Sequence, residues 1–168
     1  MKFEHIQNRN GNSCFLACIE SFLKHCGVLR SQEELIETHK DLCKSIPGKE
    51  GVIPCGEEIV LCNKENILYN EEATLKNISE LCQMQNKLKS LQSKESYIFG
   101  ITQTPDKMHS VLFDSIDFQN NIWVMDPDQG HKTLNYNDIV EIKFLKLSYP
   151  YWNPWYIEFF PGNRENVS

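Results

Sequence analysis

The sequence predicts an α+β fold, with helices first and an antiparallel sheet after them. Three observations carry that expectation. Apolar residues recur at spacings of three and four in the first part of the chain, up to about Gln92. From Tyr97 onward the texture changes to short runs rich in β-branched and aromatic residues. Helices followed by strands, rather than alternating with them, are the α+β order. The 168 residues, 40% of them hydrophobic, suffice for one substantial core, so residues 1–168 are read as a single domain.

The elements follow in order. Met1 to Ile6 alternates weakly, as a short edge strand would, and Asn8 to Asn12 is a turn. A helix runs from about Cys14 to Cys26. Phe15, Cys18, Ile19, Phe22, Leu23 and Cys26 form one broad apolar stripe, which places this helix at the centre of the core. Ser13 is its natural N-cap and Gly27 its stop. Ser31-Gln32-Glu33-Glu34 is a capping box that starts a second helix, reaching about Cys43. Lys44 to Asn70 reads as loop, punctuated by Pro47-Gly48, Gly51, Pro54 and Gly56, with a short apolar segment at Glu58 to Leu61. Leu75, Ile78, Leu81, Cys82, Leu88 and Leu91 mark a third helix from about Glu72 to Gln92.

Strands are predicted at Tyr97–Thr102, His109–Ile116 and Asn121–Met125, the last two joined as a hairpin through Asp117-Phe118-Gln119-Asn120. Asp126-Pro127-Asp128-Gln129-Gly130 ends the third strand. Asn135 to Val140 suggests a helical turn, Glu141 to Leu147 a strand, and Trp155 to Phe160 a last one. The aromatic tail around Tyr149, Tyr151, Trp152, Trp155 and Tyr156 reads as packing around a proline-stiffened segment.

Charge and composition exclude several classes. A net charge of −6 argues against a nucleic-acid partner or an anionic membrane surface, since either needs clustered Lys and Arg. No run approaches the length of a membrane span, and the N-terminus has no apolar signal core. The expected location is cytoplasmic, with leaderless export left open. Seven cysteines, an odd number with no CxxC pair, are read as mostly reduced and buried, not as a zinc site.

One group of residues carries chemistry. Cys14 stands on the first turn of an apolar-faced helix, where the partial positive charge of the N-terminus favours a thiolate. A cysteine nucleophile needs a base, and the base needs an orienting group. His109 opens one strand of the predicted hairpin and Asp126 closes the other, so both fall at the same end of the sheet, provided the register holds. Asp128 is the fallback for Asp126. Negative charge developing on a substrate oxygen would meet the Cys14 backbone N–H and a side-chain amide, Gln7 in the first instance. Cys18, inside the same helix, is expected to be inert. His131 is expected in a solvated turn, and His5, His25 and His39 on helical or terminal surfaces. This chemistry calls for no cofactor and no metal.

Gln7, Asn12-Ser13-Cys14-Phe15-Leu16-Ala17-Cys18, Met108-His109-Ser110-Val111-Leu112 and Val124-Met125-Asp126-Pro127 together resemble the papain-like cysteine peptidase superfamily. The likeness is to the small bacterial branch that contains the leader-cleaving peptidase domains of bacteriocin exporters, which Ser31 to Leu35 also suits. It implies a papain-like fold, with the nucleophile helix packed on a C-terminal antiparallel sheet. It implies Cys14 as nucleophile, His109 as base, Asp126 as orienter and Gln7 as oxyanion donor. Two positions depart from the branch, which usually has glycine where this chain has Phe15 and places its glutamine six residues before the cysteine, not seven. The oxyanion donor therefore stays open among Gln7, Asn8 and Asn12. Bacterial glutamine deamidases share the fold and the three residue types. The resemblance thus implies hydrolysis of a peptide or amide bond in a peptide or protein substrate. The alternatives are a deamidase or transamidase acting on a partner protein, or a non-catalytic binding module with Phe15 blocking the cleft.

Overall fold

A computed structural model describes residues 2–9, 13–43, 52–53, 57–72, 74–75, 81–104, 107–135 and 139–150. Helix α1 spans Cys14–His25 and ends as its sequence requires. Gly27 has φ 87°. Its N–H donates to Lys24 O at 3.0 Å and that of Val28 to Leu23 O at 2.8 Å, the paired bonds of a Schellman ending that glycine adopts without strain. The start of α1 differs from expectation. Ser13 precedes it, but its side chain does not cap the helix. Ser13 Oγ instead donates to Gln32 Oε1 at 2.7 Å, a buried bond to the next helix.

Helix α2, Gln32–Thr38, begins on the predicted box: Ser31 Oγ accepts the Glu34 N–H at 3.1 Å. It stops five residues early. The chain breaks at His39, whose buried ring lies 2.7 Å from Glu65 Oε2, and a separate short helix α3 covers Lys40–Cys43. Helix α4, Glu58–Lys64, extends the apolar segment expected there and buries Leu61 and Cys62. Residues 44–51 and 54–56 of the predicted loop, and 10–12 of the first turn, lie outside the described residues.

The third helix is shorter than its pattern. Leu81–Lys89 forms α5, and residues 73 and 76–80 of the predicted helix lie outside the described residues. The Glu72 and Leu75 N–H groups donate at 2.9 Å to the carbonyls of Phe144 and Ile142 respectively, following a strand, β1 (Leu68–Glu71), where the sequence shows only the end of a loop. Backbone donors paired to a sheet are not available to a helix. The remaining strands are β2 (Glu95–Thr104), β3 (Lys107–Ile116), β4 (Ile122–Asp126), β5 (Gly130–Thr133) and β6 (Glu141–Ser148). They form one six-stranded sheet in the order β1-β6-β2-β3-β4-β5, every neighbour antiparallel. Strand β5 falls where the sequence shows only a turn.

The N-terminal segment is not the expected edge strand. Its backbone donors go to a side chain: Asp114, buried beside an irregularity in β3, accepts the N–H groups of Lys2 and Phe3 at 3.0 and 2.9 Å. Ile139 and Val140 are not helical, and residues 136–138 of that predicted turn are outside the description, as is the predicted strand Trp155–Phe160. Tyr149, from the aromatic tail, is buried in the core.

The sheet is buried on both faces. On one, Phe15, Ile19, Phe22 and Leu23 of α1 pack with Leu35, Leu61, Ile98, Leu112, Met125 and Leu145. On the other, Met84 and Leu88 of α5 cover Tyr97, Phe99, Val111, Val124 and Phe144, with Phe99 and Phe144 edge to face at 5.1 Å. The fold is α+β, a mixture of helix and antiparallel sheet. Among the described residues no helix is long and apolar enough to cross a membrane.

Candidate active site

Alternation along β3 separates the site residues before tertiary contacts reunite them. Leu112 pairs with Met125, both facing α1, so Val111 and Asp126 share the opposite face. His109, two residues before Val111, shares that face too. Strand β4 ends at Asp126, level with Val111, so His109 stands beyond its end. The ring there reaches the carboxylate on the diagonal: His109 Nε2 lies 2.8 Å from Asp126 Oδ1. Met108 and Ser110, its neighbours, face α1.

Cys14 approaches from the α1 side. It is half-buried and lines one cleft with His109 and Ser110, close enough for both to favour its thiolate. With Nε2 held by Asp126, Nδ1 is the ring nitrogen left for the sulfur. Burial opposes ionisation of Cys14, but the bonds from His109 and Ser110 outweigh it and hold the thiol below its ordinary pKa. Burial alone would discharge His109; the bonds to Asp126 and Cys14 reverse this and raise its pKa well above the usual imidazole range. Burial likewise works against the Asp126 carboxylate, and the His109 bond, the Asp128 N–H at 2.8 Å and Lys132 Nζ at 3.0 Å hold it well below the usual carboxylate range. Both shifts favour the charged pair, thiolate beside imidazolium.

The other described cysteines differ. Burial pushes Cys26 up to about 12 and drives Cys18 and Cys62 well above their ordinary value. Cys18, one turn from Cys14, points its thiol at Ser110 O, 3.6 Å away.

A cleft of about 300 Å³ opens over Cys14. Phe15, Val52, Ile53, Met108 and Leu145 give it apolar walls, and Asn8, Asp128, Glu58 and Lys143 add polar groups. Phe15 is a buried wall residue. Gln7 is not among the lining residues; its side chain is exposed, and its carbonyl accepts Gln32 Nε2 at 2.6 Å. The neighbouring Asn8 takes the position expected of Gln7, because its backbone N–H bonds Pro127 O and turns the side chain inward. Asn12 lies outside the described residues. Asp128 is exposed, with Oδ2 3.8 Å from His109 Nδ1. His131 is not in a solvated turn: it lies on β5 with Nε2 2.7 Å from Phe3 O.

No protein-family model and no curated protein matches the chain. The site is therefore read from its geometry. Donor atoms of His109, Asp126 and Asp128 lie within 4.8 Å of one another, close enough to hold a cation. Yet His109 and Asp126 already bond each other, and Lys132 already supplies a positive charge to Asp126. Lys132 is the residue the sequence reading missed. The three-residue, glycine-ended turn after Asp126 is the hairpin signal that would have placed it on a neighbouring strand.

Proposed function

We propose that the protein is a papain-like thiol hydrolase that cleaves peptide or amide bonds. The grouping of Cys14, His109 and Asp126 at a cleft of about 300 Å³, with His109 bonded to Asp126, supports this reading. Cys14 Sγ attacks the carbonyl carbon and forms a C–S bond while the π electrons move to oxygen. The Cys14 N–H at the open start of α1 meets that oxygen, and Asn8 is the side-chain amide lining the cleft among the described residues. His109 gives its proton to the leaving nitrogen as the C–N bond breaks. Neutral His109 then takes a proton from water, whose oxygen attacks the thioester. The C–S bond breaks, and thiolate and imidazolium are restored.

Iodoacetamide labelling at about pH 6, mapped by mass spectrometry, tests the activated sulfur. Cys14 should react faster than the other cysteines and faster than a cysteine in a short unstructured peptide; equal rates would sink the reading. Incubation with a peptide library should give fragments that Cys14→Ala does not. Conversion of glutamine to glutamate without cleavage would instead assign the site to side-chain amides.

A further inference from the structure

Lys132 has no part in the reaction above, yet it stands on its acidic member. The register of the β4–β5 hairpin puts it there. Val124 faces Lys132 and Asp126 faces Gly130, so Lys132 and Asp126 share a face and meet on the diagonal, with no side chain at Gly130 between them. Lys132 Nζ lies 3.0 Å from Asp126 Oδ2 and 2.7 Å from Gln129 Oε1. Asp126 Oδ1 holds His109 Nε2 and the Asp128 N–H, both at 2.8 Å. The carboxylate is thus divided, one oxygen to the imidazole and one to the ammonium. Behind them, on the face away from α1, His109, Asp126 and Lys132 line a second hollow of about 340 Å³.

We propose that Lys132 is a positioning residue that sets the proton affinity of His109 through Asp126. The inference rests on the thiol-hydrolase reading. In acylation the imidazolium must release its proton to the leaving nitrogen. A buried carboxylate with no other partner would hold that proton too firmly. The ammonium on Oδ2 withdraws negative charge from the carboxylate and opposes the positive ring. It does so without disturbing Oδ1, which the Asp128 N–H anchors independently. Among the described residues, the charged groups around His109 are Cys14 from α1, Asp126 from β4, Asp128 from the turn and, through Asp126, Lys132 from β5, with Glu58 of α4 and Lys143 of β6 on the walls of the same cleft. The β2 residue opposite, Ile101, carries none. Lys132 is the ammonium in contact with Asp126.

The test is an NMR titration of His109 in the full chain, with the pH profile of Cys14 alkylation beside it. Lys132→Met should move the His109 titration upward by about one pH unit, the size expected when a unit charge is removed at this range. Lys132→Gln, which keeps a hydrogen-bonding group without the charge, should shift it likewise and covers the case in which Lys132→Met does not fold. Lys132→Arg should restore the wild-type titration. A lysine that only props the hairpin would lower the melting temperature and leave the titration where it was. That result, or a downward shift, overturns the proposal. An unreactive Cys14 in the wild type would end the thiol-hydrolase reading itself, whereas a reactive Cys14 with an unmoved His109 in the uncharged variants would end the Lys132 inference alone.

Discussion

Asn8 and Asp128, 3.1 Å apart from Nδ2 to Oδ1, tie the segment before α1 to the turn after β4. Asn8 Oδ1 also accepts the buried Ser13 N–H at 3.1 Å. One side chain thereby sets where Cys14 stands relative to Asp126. Asn8→Ala removes both bonds and leaves the Ser13 N–H unpaired, at a cost of about 1–3 kcal/mol. A lower melting temperature and slower alkylation of Cys14 at about pH 6 should appear together. Full reactivity in a destabilised variant would show that the tie does not position the sulfur.

Removal of the imidazole separates activation from exposure. In His109→Ala, only the Ser110 contacts oppose burial at Cys14, so its pKa rises and alkylation at about pH 6 should fall roughly tenfold or more. Cys18→Ala should leave the rate of Cys14 unchanged, because that thiol is buried and held protonated. Mass-resolved labelling of both variants reads the two effects directly.

The His109–Asp126 pair makes stability depend on pH in both directions. Asp126 is depressed in the fold, so its contribution is complete above its unfolded value of about 3.9 and is lost as pH falls. His109 is raised, so its contribution is complete below its unfolded value of about 6.5 and is lost as pH rises through the folded one. The stability difference between wild type and Asp126→Asn should therefore be largest between about pH 4 and 6.5 and narrow on either side. Urea unfolding across that range measures it; a difference that is flat with pH would contradict the ion pair.

Gly130 has φ +84°, and nothing lies within 4 Å of a Cβ added there. Gly130→Ala therefore meets no clash and pays only for the left-handed backbone, about 1–2 kcal/mol. Thermal unfolding should show that loss. A neutral result would mean that the turn between Asp126 and Lys132 relaxes to another conformation.

Much of this architecture is legible locally. The stripe of α1, its glycine stop at Gly27, the capping box at Ser31 and the strands from Tyr97 onward are all written within a few residues of where they act. The positions of Cys14, His109 and Asp126 are too, because helix starts and antiparallel hairpins place side chains by short-range rules. The errors lie elsewhere. Glu72 and Leu75 fall in the helix that spacing predicts, yet their N–H groups bond the carbonyls of Phe144 and Ile142 in β6, 72 and 67 positions away. His39, where α2 stops, meets Glu65, and the N–H groups of Lys2 and Phe3 go to Asp114.

The sequence by itself determined the chemical types, their places at the ends of elements and the α+β order, since periodicity and capping are properties of neighbouring residues. Only the tertiary structure decided that Asn8 rather than Gln7 lines the cleft, that β5 brings Lys132 to Asp126, and that His109 stands between two hollows on opposite faces of the sheet. Those outcomes depend on register and on contacts between distant segments. A strand of four residues, such as β5, carries too little local pattern to fix its own register.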